Sequence, residues 1–275
     1  MNDKENDLIE LLNILMGVIE ANKGVPAEDD MRVIDAEGLA IKFYSHAIST
    51  LYIHRGVNIP DLIIPIKDYS DPSSLDVLVR ATFETFLVFY YIFIDSNDIN
   101  EIDFKYQSWE LAGLYLRQKF PATLEENIKK LEEERRMIEE LKQKIASNSV
   151  FRAFTEKQKN SYFSKLEKSN WRSQGWAEIA LSAGFSELNS KIIYSYLCEH
   201  AHSGNISATQ VSQSADFTIR RELMNSSIGH LIICVANMIK FYCQYFPKSM
   251  EYYNKNFIEP NIVSFWIDIG AERLD

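Results

Sequence analysis

Apolar residues recur every three or four positions in segment after segment of this chain, and no stretch alternates apolar with polar at period two. The first spacing puts side chains on one face of an α-helix, whereas the second is what a half-buried strand requires. An all-α fold is therefore expected: an irregular helical bundle of seven to nine helices with one long charged helix, forming a single helical domain over residues 1–275. Hydrophobic residues make up 46% of the chain, enough for a core and far from the composition of a disordered protein.

The spacing predicts a first helix over about Asp7 to Ala21, with Leu8, Leu11, Leu12, Leu15, Val18 and Ile19 on one face. A second runs from about Asp30 to Gly56 and carries Ile34, Leu39, Ile41, Phe43, Tyr44, Ile48, Leu51 and Tyr52 over much of its surface, so it is expected to be well buried. Residues 57–70 contain Pro60 and Pro65 and should form an extended strap. Asp71 before Pro72 reads as an N-cap with proline at the first helical position. The helix it opens, through Ile94, is apolar on nearly every side and should be central.

A helix over about 102–119 is followed by a charged arm at 122–147. Its Glu125/Lys129, Glu126/Lys130, Glu132/Arg136 and Glu140/Lys144 pairs are spaced for i,i+4 attraction. The arm should be largely solvated. Ser186 with Asn189, then Gly204, delimit a helix of about Glu187 to His202. Helices over 217–246 and 248–268, separated at Pro247, should pack on the core.

Lys and Arg number 29 against 39 Asp and Glu, a net charge of −10, so strong non-specific binding to nucleic acid is not expected. Cys198, Cys234 and Cys243 form neither a CxxC pair nor a disulfide framework. The N-terminus lacks the pattern of a secretory signal. The segments Leu78 to Ile94 and Ile228 to Phe246 are interrupted by Arg80 and Glu84, and by His230, Asn237 and Lys240. A cytoplasmic protein with no membrane partner is the resulting expectation.

Phosphate loops, dinucleotide fingerprints, nucleophile elbows and HExxH zinc motifs are all missing from the sequence, and no cofactor or metal is expected. What stands out is charge in apolar surroundings. Arg80 and Glu84 share one face of the central helix, and each needs a polar partner if buried. Tyr194, Cys198 and His202 form a stripe on the later helix, with Tyr196 and His200 on another. Satisfaction of both sets predicts that Arg80 and Glu84 meet Tyr194 and His202 in space. A structural ion pair and a histidine helix cap are the plain readings; an anion-binding guanidinium oriented by a carboxylate is the functional one. A Cys198–His202 thiolate pair and a His200/His202 metal pair find less support, since buried cysteines are commonly inert and no third ligand is near in sequence. Trp171 and Trp176 are read as lids over the core.

The segment LDVLVRATFETFLVFYYI, preceded by YSHAISTLYIHRG, and the block NWRSQGWAEIALSAGFSELNSKIIYSYLCEHAHSGN together resemble a bacterial helical family of unknown function. That family has an Arg-x-x-x-Glu helix and a Tyr-x(7)-His helix. The resemblance spans about Leu39 to Asn205 and implies that Arg80, Glu84, Trp171, Tyr194 and His202 occupy the family's motif positions. In outline the family is similar to the HEPN superfamily, many of whose members are ribonucleases. Their motif places His four to six residues after Arg, and none of the five histidines here does so. The function expected is a binding or regulatory module with a buried polar pocket, acting in stress or phage defence. Its partner would be a small anionic ligand or a protein, a homodimer included. The alternatives are a phosphodiesterase or ribonuclease-like enzyme on RNA or a nucleotide, with His202 as general acid/base and Arg80 stabilising charge, and a scaffold without a ligand.

Overall fold

The computed structural model describes residues 3–24, 30–56, 71–213, 216–258 and 261–272. The expected strap at 57–70 lies outside them. Among the described residues there are thirteen α-helices, one π-helical segment and no strand. Thirteen exceeds the seven to nine expected, because short helices of mixed polarity have too few turns to display a stripe. Their caps mark them instead. Asn148 Oδ1 accepts from the Val150 amide at 2.8 Å to open a four-residue helix, and Thr155 with Gln158 forms a capping box before another.

The chain divides into two compact units, residues 1–90 with 176–275, and residues 91–175. The first begins with α1 (Asp3–Ala21) and α2 (Met31–Arg55), and both pack against α11 (Phe217–Tyr245). α1 buries Leu8, Leu11, Leu12, Leu15 and Val18 as its spacing dictates. α2 departs from expectation. Its buried stripe is Ala36, Ala40, Phe43, Ala47, Thr50 and His54, while Ile34, Ile41 and Tyr52 remain 46%, 55% and 65% exposed. Alanines at the contact let helices approach closely, so the small residues take the inner face and the bulky ones are left outside.

α3 (Pro72–Phe93) starts as predicted, with Asp71 Oδ1 accepting from the Ser74 amide at 3.0 Å. Within the first unit its large side chains meet α11: Phe86 stands 6.1 Å and Tyr90 4.9 Å from the Phe241 ring, and Phe89 6.3 Å from Tyr242. α11 is long and apolar enough to cross a membrane by length and composition, yet 89% of its apolar window is buried inside the protein.

The expected helix at 187–202 is two conformations in series. A π-helical segment (Leu188–Ile193) precedes α9 (Tyr194–Ala201). It is tied down by the Gly270 carbonyl of α13 (Ile262–Gly270), which accepts from the Ser186 amide at 2.9 Å and from Asn189 Nδ2 at 3.1 Å. After α9 comes α10 (Asn205–Gln213). The C-terminal stretch is likewise split, into α12 (Pro247–Asn256) and α13.

The second unit has its own core. Phe104, Leu111 and Leu114 of α4 (Ile99–Arg117) pack with Ile138, Leu141 and Ile145 of α5 (Glu125–Ser147), together with Phe151 and Leu166. α5 is exposed along most of its surface, but its apolar stripe belongs to this core. Of the predicted pairs, Glu125 and Lys129 meet at 2.7 Å; a pair that was not predicted, Glu139 with Lys142, meets at 2.9 Å. Trp171 packs on the same core with its ring 5.8 Å from Tyr91.

Candidate functional site

Arg80 and Glu84 lie one turn apart on α3, so their side chains project from the same face. Arg80 Nε donates to Glu84 Oε1 at 3.0 Å. The same oxygen accepts from the Tyr194 hydroxyl of α9 at 2.8 Å. At the C-cap of α9, the Nε2 atom of His202 lies 3.2 Å from Arg80 Nη1, and the guanidinium carbon is 5.9 Å from the centre of the Tyr194 ring. The structure thus brings all four residues of the sequence-derived constellation together across α3 and α9.

The electrostatics follow from partial burial. The Arg80 and Glu84 side chains are 18% and 27% exposed, and His202 is exposed. Burial penalises the Arg80 charge, but the Glu84 carboxylate beside it overcomes this and holds the guanidinium firmly charged. Burial and the neighbouring carboxylate both push the Tyr194 phenol well up, so it serves as a neutral donor. Arg80 Nη1 can only donate, so the His202 Nε2 facing it must be unprotonated. The Arg80 Nη2 hydrogens meet no protein acceptor among the described residues. With the Arg80 side chain 18% exposed, the arrangement has the capacity to take an anion.

Below Tyr194 the packing is aromatic and buried. Phe83 stands 6.2 Å from the tyrosine ring and 4.8 Å, edge on, from the imidazole of His230, which is fully buried and hydrogen-bonded through Nδ1 to Asn189 Oδ1 at 3.3 Å. Desolvation lowers the His230 pKa to about 4, so it is neutral. Cys198 is half-buried between the two ends of the α9 stripe, and Cys234 and Cys243 are buried, with thiols that burial pushes up.

The other stripe of α9 is also used, and sequence reasoning missed its partner. His200 Nε2 lies 3.4 Å from Asp76 Oδ2 and 2.9 Å from Gln210 Oε1 of α10. Asp76 Oδ1 accepts from Ser227 Oγ of α11. His200 is therefore a buried, bonded side chain and not the helix cap considered for it. The signal was present: Asp76 precedes Arg80 by the same four residues that separate Arg80 from Glu84. No group of three or more His, Cys, Asp or Glu suited to a metal ion occurs among the described residues.

Comparison with family models finds one match, described as a family of unknown function, over residues 63–217 and so over more than half of the chain. It begins and ends later than the resemblance read from Leu39 to Asn205. Comparisons with curated proteins and with solved structures find no match.

Proposed function

Because the chain belongs to the DUF5677 family, and the matched residues contain Arg80, Glu84, Tyr194 and His202, we propose that the α3/α9 seam binds a small anionic ligand in a binding or regulatory module. The observation that carries this reading is the state of Arg80. Glu84 holds its guanidinium by Nε alone, Tyr194 supports Glu84 from behind, and the Nη edge, which faces His202, meets no carboxylate among the described residues. A structural ion pair has no need to leave that edge open. Arg presents two parallel N–H donors there, the geometry that suits phosphate or carboxylate. His202 borders the same edge, with its Nε2 atom 3.2 Å from Arg80 Nη1.

The same geometry supports an enzymatic reading, in which His202 moves a proton for a phosphorylated substrate while Arg80 stabilises the developing charge. The net charge of −10 argues against long nucleic acids as that substrate. A protein partner or a second copy of the chain has separate support in the exposed apolar side chains of α2, notably Met31, Ile34, Ile41 and Tyr52.

The test is calorimetric titration with inorganic phosphate, pyrophosphate and adenosine monophosphate at low salt. Wild type should bind at least one of them. Arg80→Lys, which keeps the charge but loses the fork, and His202→Ala, at an exposed position, should each weaken binding about tenfold or more without a fall in Tm. No binding by wild type, or equal binding by all three proteins, would leave the network as a packing device.

A further inference from the structure

Ser73, Asp76, Arg80 and Glu84 stand at i, i+3, i+7 and i+11 on α3, a single stripe of that helix. The anion site uses its second half. The first half forms a separate constellation around His200, whose side chain is only 2% exposed. One imidazole nitrogen, Nε2, faces two oxygens, Gln210 Oε1 at 2.9 Å and Asp76 Oδ2 at 3.4 Å. The other, Nδ1, faces the Ser73 hydroxyl at 3.4 Å. The Tyr196 ring packs 4.9 Å from the imidazole, and the hydroxyl of Tyr196 donates to Gln210 Oε1 at 3.2 Å, which holds the amide oxygen toward the ring.

This arrangement fixes a tautomer. A carboxylate and an amide oxygen can only accept, so the proton sits on Nε2 and Nδ1 is bare. The bare nitrogen points at a serine hydroxyl that is partly exposed, whereas His200 and Asp76 are buried behind it. Ser73 also occupies the first turn of a 22-residue helix, where backbone amides have no intrahelical acceptor. The Ser74 and Leu75 amides are taken by Asp71. A hydroxyl, a base with its lone pair on that hydroxyl, an amide oxygen that holds the base by its N–H and a carboxylate close behind it are the parts of an activated nucleophile.

We propose that Ser73 is a catalytic nucleophile that takes acyl groups from small carboxylic esters, with His200 as its base, Gln210 as the residue that positions the imidazole and Asp76 as the charge beside it. Ser73 Oγ bonds to the ester carbonyl carbon while its proton passes to His200 Nδ1. The carbonyl oxygen becomes an oxyanion beside the Ser73 amide and the positive end of α3. Collapse breaks the carbon–oxygen bond to the alcohol, which leaves with the proton from Nδ1. Water then repeats the sequence on the acyl-serine, giving the acid and restoring the hydroxyl. Arg80 takes no part, so this site stands or falls independently of the anion site. Burial raises Asp76 to about 6, so the carboxylate form, whose charge lies 3.4 Å from Nε2, is the majority species at neutral pH.

The full-length protein is incubated with a fluorophosphonate and, separately, with 4-nitrophenyl acetate. The fluorophosphonate should form a stable adduct on Ser73, located by peptide mass spectrometry, as Oγ displaces fluoride and the proton leaves through His200. The ester should release nitrophenol in a burst. Both reactions should vanish in Ser73→Ala, a change at a partly exposed small residue, and slow about a hundredfold in His200→Gln. Asp76→Asn should shift the pH profile of labelling, which a merely structural carboxylate would not do. A wild-type protein with an intact helical circular dichroism spectrum that takes no label at Ser73 overturns the proposal, as does labelling that Ser73→Ala leaves unchanged.

Discussion

Asp76 of α3 and His230 of α11, both buried, carry opposite pH signatures. Asp76 is 1% exposed, and burial raises its carboxyl from 3.8 to about 6 despite the opposing Ser227 hydrogen bond and the nearby His200. A folded pKa above the unfolded one means that the native state holds the proton more tightly. The stability this confers is complete below pH 4 and lost as the pH rises through about 6. His230 is the reverse case: burial lowers it from 6.5 to about 4, so its contribution is present above pH 6.5 and lost as the pH falls through about 4. Each shift corresponds to about 3 kcal/mol. In the wild type the two slopes largely cancel between pH 4 and 6.5, so they separate only in variants. Relative to Asp76→Asn, wild type should lose about 3 kcal/mol of unfolding free energy between pH 4 and 7; relative to His230→Leu it should gain about as much. Urea denaturation at stepped pH measures both, and differences independent of pH would contradict the burial argument.

At the scale of elements, the end of α9 decides where His202 stands. The sequence suggests Gly204 as the stop, but the left-handed residue is Ser203, with φ of 53°. The Gly204 amide reaches back to the Glu199 carbonyl at 2.8 Å, the 6→1 bond of a Schellman-type turn, with serine at the left-handed position where glycine is usual. Serine in this region is strained, and glycine is not. Ser203→Gly should therefore stabilise the protein by about 0.5–1 kcal/mol, read as a rise in Tm, while leaving the 3.2 Å approach of Arg80 and His202 in place. A loss of stability would mean that the serine hydroxyl contributes more than the strain costs. The π-helical segment before α9 has a different logic. Its i→i+5 bonding inserts a residue relative to an α-helix and turns everything after it by about 100°. Asn189, held by the Gly270 carbonyl and His230, anchors that turn.

On the scale of the whole molecule, the two units have separate cores, and the charged helix belongs to one of them. Leu141 of α5 is 5% exposed and lies among Phe104, Leu111 and Leu114, whereas Met137, one turn earlier, is 42% exposed. Leu141→Ala should cost about 2–4 kcal/mol and Met137→Ala less than about 0.5 kcal/mol. Hydrogen exchange should report the Leu141→Ala loss within residues 91–175. Equal effects of the two substitutions would restore the reading of α5 as a solvated arm.

What the sequence determined by itself is what local physics governs. Helical spacing and the lack of alternation settle the all-α class, Asp71 and Pro72 mark the start of α3, and the need of Arg80 and Glu84 for polar partners on a mostly apolar helix points to Tyr194 and His202. Tertiary structure decided the rest, because it depends on which surfaces meet. The inner face of α2 belongs to alanines, since close approach to α1 and α11 outweighs the burial of single bulky side chains. Asp76 and His200 are partners because α3 and α9 pack with Ser227 and Gln210 behind them, on helices that no spacing rule connects. Ser73 faces His200 for the same reason. A periodicity shows which residues of one helix share a face; only packing shows what that face is turned toward.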